Sequence, residues 1–180
     1  MPVVAVFGSS AAHPGDWDYQ EGRRLGRRLA QAGFSVATGG YGGLMEAVSE
    51  GAGEAGGQVI GVTVPTVFPD RSGANPHITE ERRAASLAER IHELTDVAAA
   101  AVALPGSIGT LTELMVAWNL AYVAPFSRQS PKPVVAVGEL WGELVPLLRE
   151  RLQTDGLVVC VASAEEAVEV LRERLLEETS

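Results

Sequence analysis

Pro105-Gly106-Ser107-Ile108-Gly109-Thr110-Leu111-Thr112-Glu113 sets a glycine turn, three hydroxyls and a carboxylate directly behind the apolar run 97–104. That order reads as a strand emptying into a helix N-terminus, where unpaired N–H groups and the helix dipole attract anions. Gly106 and Gly109 remove side chains that would keep a phosphate from the backbone, and Ser107 and Thr110 add hydroxyl donors. Residues Gly106, Ser107, Ile108, Gly109 and Thr110 are therefore the candidate phosphate cradle. Two more glycine turns follow apolar runs in the same way: Gly8-Ser9-Ser10, and Gly39-Gly40-Tyr41-Gly42-Gly43-Leu44-Met45. One such turn is as easily explained by tight strand-to-helix packing, but three favour a nucleotide-sized ligand. They nominate Gly8, Ser9, Ser10, Gly39, Gly40, Gly43, Leu44 and Met45 for nucleotide binding. Leu44 and Met45 suit either the base or the core.

Glu113 does not fit phosphate binding, because a carboxylate repels an anion unless it faces another part of the ligand. One reading is a capping box, Thr110 to Glu113, with the carboxylate reaching back to a backbone N–H. The other has Glu113 binding sugar hydroxyls or stabilising positive charge on a ribose ring.

The elements that must hold these residues follow from periodicity. Apolar runs of strand length lie at 3–7, 34–37, 58–64, 98–104, 133–137 and 157–161, mostly without alternation, as in strands buried on both faces. Helical periodicity occupies about 17–32, 43–56, 80–95, 108–122, 139–153 and 164–177. Alternating strand and helix imply a Rossmann-like, doubly wound parallel sheet in a three-layer α/β/α arrangement. No linker or repeat divides the chain, so residues 1–180 are expected to form one domain. Segment 65–78, with three prolines and a glycine, is expected to be a surface loop leading into helix 80–95.

Composition narrows the function. A formal charge of −9 over 180 residues argues against nucleic-acid binding, which relies on cationic neutralisation of phosphates. No apolar run approaches a membrane span, and the N-terminus lacks the basic start of a signal peptide, so a cytoplasmic protein is expected. The single cysteine, Cys160, lies in an apolar run and is expected in the core. His13, His77 and His92 lack metal-ligand spacing, and no metal or organic cofactor is implied. Arg23, Arg24, Arg27 and Arg28 read as a solvated helix face, and Trp17, Trp118 and Trp141 as packing or interface anchors.

The turn 105–113 resembles the signature P-G-G-x-G-T-x-x-E of the LOG family of nucleotide phosphoribohydrolases, long misnamed lysine decarboxylases. It differs only at Ser107. The resemblance extends to Gly8-Ser9-Ser10, to Gly39-Gly40 through Gly43-Leu44-Met45-Glu46-Ala47-Val48, and to Gly57-Gln58-Val59-Ile60-Gly61-Val62. The family carries an arginine about fifteen residues before the signature proline, in a segment M-H-x-R-K. Here that segment reads Leu87-Ala88-Glu89-Arg90-Ile91, so the arginine is kept and its neighbours are replaced.

The resemblance implies hydrolysis of the N-glycosidic bond of a purine nucleoside 5′-monophosphate, such as AMP or an N6-modified AMP, with Glu113 and Arg90 catalytic and a homodimer built on the apolar helix 111–123. Pyridoxal-phosphate chemistry needs a Schiff-base lysine. The only lysine, Lys132, stands between two prolines at a strand entrance, expected at the end of the sheet away from the site. The rival reading is a non-catalytic nucleotide sensor or molybdenum-cofactor carrier, which would keep the glycine turns without needing the acidic and arginine pair. A dinucleotide oxidoreductase fits poorly, since G-x-G-x-x-G spacing is missing after the first strand.

Overall fold

The computed structural model describes residues 1–70, 73–154 and 156–176. Seven strands form one parallel sheet: β1 (Val3–Phe7), β2 (Ser35–Thr38), β3 (Val59–Thr63), β4 (Glu80–Arg83), β5 (Ala100–Ala103), β6 (Val134–Val137) and β7 (Val158–Val161). Their order is β4-β3-β2-β1-β5-β6-β7. Five helices connect strands, α1 (Trp17–Gln31), α2 (Leu44–Glu54), α3 (Leu87–Val97), α4 (Ile108–Val123) and α5 (Glu139–Leu152), and α6 (Ala164–Leu176) follows β7.

The inner strands are short and almost wholly apolar because helices cover both faces. On one face Leu25, Leu29, Leu44, Val48 and Leu171 bring α1, α2 and α6 onto the sheet. On the other, Leu94, Leu114, Trp118 and Trp141 bring down α3, α4 and α5. The doubly wound, three-layer arrangement read from the sequence is the fold.

Strand order reverses beside β1, which pairs with β2 on one side and β5 on the other. In such sheets the crevice at the carboxyl ends of the reversing strands is where ligands bind. Two bonds pin that crevice. Ser9 N donates to Pro105 O at 3.1 Å. Trp141 Nε1 donates to Leu104 O at 2.9 Å, fixing the end of β5 where the turn begins.

Three expectations are corrected. Residues 80–83 are not the start of a helix but the edge strand β4, paired in register with β3. Glu-Glu-Arg-Arg has no apolar stripe to pack as a helix, and its unbroken run of charges suits an edge that must not recruit another strand. Helix α3 starts only at a capping box: Ser86 Oγ accepts from Glu89 N at 3.1 Å, and Glu89 Oε2 accepts from Ala85 N at 2.8 Å. Loop 65–78 thus leads into a strand. Cys160 is exposed, because β7 is the opposite edge of the sheet. The arginines of α1 are not simply solvated: Arg23 and Arg27 bond Glu54 of α2, and Arg28 Nε lies 2.8 Å from Glu165 of α6.

Candidate functional site

The crevice centres on a buried ion pair. Arg90, one turn into α3, and Glu113, in the second turn of α4, are each 8% exposed. Arg90 Nη1 donates to Glu113 Oε1 at 3.0 Å, and Arg90 Nε donates to Val62 O at 2.9 Å. Among the described residues the third edge of the guanidinium finds only a thioether, with Nη2 lying 3.6 Å from Met45 Sδ. A thioether is a weak acceptor, so that edge keeps donor capacity for a ligand.

Burial pushes the Glu113 carboxyl above the ordinary carboxylate range, while the charge and the hydrogen bond of Arg90 pull it back down. The pair is a carboxylate held nearly dry against one cation. The capping-box reading of Glu113 is excluded by the helix itself. Its N-cap is Ser107, which places Thr110 at the third helical position and Glu113 a full turn beyond any cap.

Above the pair lies a small cavity of about 120 Å³, lined by Gly8, Ser9, Ser10, Met45, Ser107, Gly109 and Thr110, together with Arg90, Glu113 and Phe68. The α4 N-terminus opens toward it. Ser107 makes no side-chain cap bond, and no acidic residue sits in the first turn, so the positive end of a 16-residue helix is left for an anion. A second, more polar cavity of about 450 Å³, which shares Ser10 with the first, is lined by Tyr41, Gly42, Glu46, Asp70 and Asn75. Ligand pockets typically span about 300–1,000 Å³, a range that the larger cavity reaches and the small one does not.

Most of the remaining nominated residues lie behind this surface. Leu44 is 1% exposed and packs in the core, where its side chain fills the space beside Gly8. Ile108 is 77% exposed, so only its backbone belongs to the turn. Gly106 packs against the Thr110 side chain, and Gly40 against Thr63. Gly43 has φ of 73° and passes directly over the backbone of Ser9 and Ser10, a path only glycine follows without strain. Gly39 lies beneath Arg90.

Sequence reading missed Phe68, which lines the cavity and meets Tyr41 edge-on at 5.5 Å between ring centroids. A lone aromatic in a proline-rich loop beside a strand end was the available signal. It also missed the Val62 carbonyl, whose role depends on β3 lying beside α3. Trp17 is 72% exposed, while Trp118 and Trp141 are buried.

Residues 45–174 match the family model described as "Possible lysine decarboxylase". The chain belongs to this family, the LOG family. Among LOG relatives, a Mycobacterium tuberculosis protein described as a cytokinin riboside 5′-monophosphate phosphoribohydrolase is 32% identical over 142 residues, covering 78% of this chain and 72% of that protein. The rice protein described as cytokinin riboside 5′-monophosphate phosphoribohydrolase LOG is 37% identical over 92 residues, 51% of this chain and 38% of its own. The match thus spans well under half the length of the rice relative. A molybdenum cofactor binding protein from the phototrophic bacterium Rippkaea orientalis superposes with a TM-score of 0.77 over 97% of both chains at 22% identity, which shows the shared fold.

Lys132, the residue a Schiff base would need, is far from the crevice. Its Nζ donates to Thr95 O at 2.9 Å and Asp96 O at 3.2 Å, closing the C-terminal end of α3 at the amino-terminal end of the sheet, opposite the crevice. Among the described residues no group of three His, Cys, Asp or Glu side chains could hold a metal ion, and no helix is long and apolar enough to cross a membrane.

Proposed function

We propose that this protein hydrolyses the N-glycosidic bond of a purine nucleoside 5′-monophosphate, AMP or an N6-modified AMP, releasing free base and ribose 5-phosphate. The observation that carries the reading is the buried Arg90–Glu113 pair beside the uncapped N-terminus of α4. The activity described for the LOG relatives supports it.

In this mechanism the 5′-phosphate rests on the backbone of Gly106 to Thr110, with the Thr110 and Ser9 hydroxyls beside it. That anchor sets the ribose over Glu113. As the bond between C1′ and the base nitrogen lengthens, the ring gains oxocarbenium character, and the Glu113 carboxylate stabilises that charge and orients the attacking water. Water adds its oxygen to C1′ and gives its proton to the Glu113 carboxylate, while the departing base, which keeps the electron pair of the broken bond, takes up a proton from solvent at its ring nitrogen. The free edge of Arg90 positions the nucleotide and steadies electron density arriving on the departing base. Met45 and Phe68 offer apolar surface to the base. Because Lys132 is remote from this centre, the decarboxylase label finds no Schiff-base residue in the crevice.

The chain is proposed to work as a homodimer in a reducing cytoplasm. Helix α4 is apolar almost all round, and Leu120, Tyr122, Val123 and, just beyond it, Phe126 remain 37–79% exposed. A helix apolar on every side is normally covered.

The test is incubation of purified protein with nucleoside 5′-monophosphates, followed by chromatography for free base and assay for ribose 5-phosphate. Release of the two products in equal amounts supports the reading. Intact nucleotide that nevertheless raises the melting temperature points instead to a carrier or sensor.

A further inference from the structure

We infer that Gly39 is a positioning residue for Arg90: its missing side chain is the socket in which the guanidinium sits. This rests on the hydrolase reading and departs from the sequence-based assignment of Gly39 to direct nucleotide contact.

Three observations lead to it. A Cβ built on Gly39 would lie 1.5 Å from Arg90 Nη2, 2.7 Å from Arg90 Cζ and 2.6 Å from Met45 Sδ. Gly39 is not among the glycines with positive φ, unlike Gly40 and Gly43. Its backbone would therefore accept alanine, and space alone calls for glycine. Finally, the guanidinium cannot yield freely, because Nε is tied to the Val62 carbonyl at 2.9 Å and Nη1 to Glu113 at 3.0 Å.

A methyl group at Gly39 would push Nη2 by about 2 Å to reach an ordinary contact of roughly 3.5 Å. The guanidinium can retreat only by giving up Glu113 or Val62. The far end of a flexible side chain moves cheaply as far as the fold is concerned. The cost falls on the geometry of the pair, and misplacing a reacting group by about 1 Å can cost on the order of 100-fold in rate. Met45, in the first turn of α2, forms the other wall, so the socket joins the ends of β2 and α2 to α3.

The test is a double-mutant cycle of Gly39→Ala and Arg90→Ala, with kcat and KM for the nucleotide, thermal melting, and the ¹³C titration of the Glu113 carboxyl. Gly39→Ala is expected to lower kcat by about 100-fold. Melting temperature should stay close to native, and KM should change much less than kcat, because the phosphate cradle lies on α4. In the Arg90→Ala background the same substitution should cost no more than about twofold, within the additivity error of independent sites. The Glu113 carboxyl should titrate higher in Gly39→Ala than in the native protein, since Arg90 no longer restrains it. Native-like kcat in Gly39→Ala, or an equal loss in both backgrounds, would overturn the socket. If the native protein released no base, the hydrolase reading would fail by itself. The Glu113 titration would then decide the socket: a higher midpoint supports it and an unchanged one refutes it.

Discussion

Glu113 carries two opposing influences, and their balance sets a pH dependence. Burial raises its carboxyl and Arg90 lowers it, with burial the larger. The proposed reaction needs the ionised form, so kcat/KM should fall on the acid side at a pH above the ordinary glutamate value of about 4.3. Arg90→Ala removes the opposing cation, and the Glu113 titration, followed by carboxyl NMR, should move higher still. Stability runs the other way. A carboxyl whose pKa is raised on folding contributes most when protonated, below its unfolded pKa, and that contribution is lost as pH rises through the elevated folded pKa. Glu113→Gln should therefore flatten stability against pH in that window, as read by denaturant titration.

Arg90 was legible only through the family resemblance, since an arginine inside a helix ordinarily faces solvent. Its burial depends on β3, α2 and α4 meeting at one point, and no local pattern encodes that meeting. Glu113 was visible as an anomaly, a carboxylate too close to an anion site, but not as half of an ion pair.

Between elements, the closest packing joins α1 to α2. A Cβ on Gly51 would fall 1.8 Å from Arg23 O, and one on Gly26 would fall 2.0 Å from Val48 O, so the two backbones touch directly. Gly51→Ala should destabilise the protein by about 1–3 kcal/mol, the usual cost of overpacking, as measured by chemical denaturation. Arg23 and Arg27 clasp Glu54 above this contact and hold its carboxyl down at about 2, Arg23 being the larger cause. That clasp is present above the ordinary carboxylate pKa and is lost as pH falls toward about 2, the opposite sign to Glu113.

Elements buried on both faces were readable because their apolar runs are uninterrupted. The misread strand positions lie at the two sheet edges. β4 is charged at every position, so it carries no helix or core signature. β7 is apolar but half uncovered, which is why Cys160 emerges at the surface. Strand pairing decides both, and sequence periodicity does not report it.

At the scale of the whole molecule, the reversal of strand order beside β1 gathers three glycine turns at one rim, and α3 and α4 bring the ion pair there from elements distant in sequence. The outer face of α4 should be the dimer contact. Leu120→Glu with Val123→Glu should convert a dimer to a monomer in sedimentation velocity with little change in helical circular dichroism. A monomeric native protein would remove that assignment.

The central claim is that Glu113, held dry against Arg90, drives base release. The most direct measurement is single-turnover release of adenine from AMP by native protein and by Glu113→Gln, with nucleotide binding followed in parallel by calorimetry. Loss of a single electrostatic stabiliser of a transition state commonly costs about 100- to 1,000-fold, so release should fall by at least that much while AMP binding persists. Equal release by the two proteins would contradict the account.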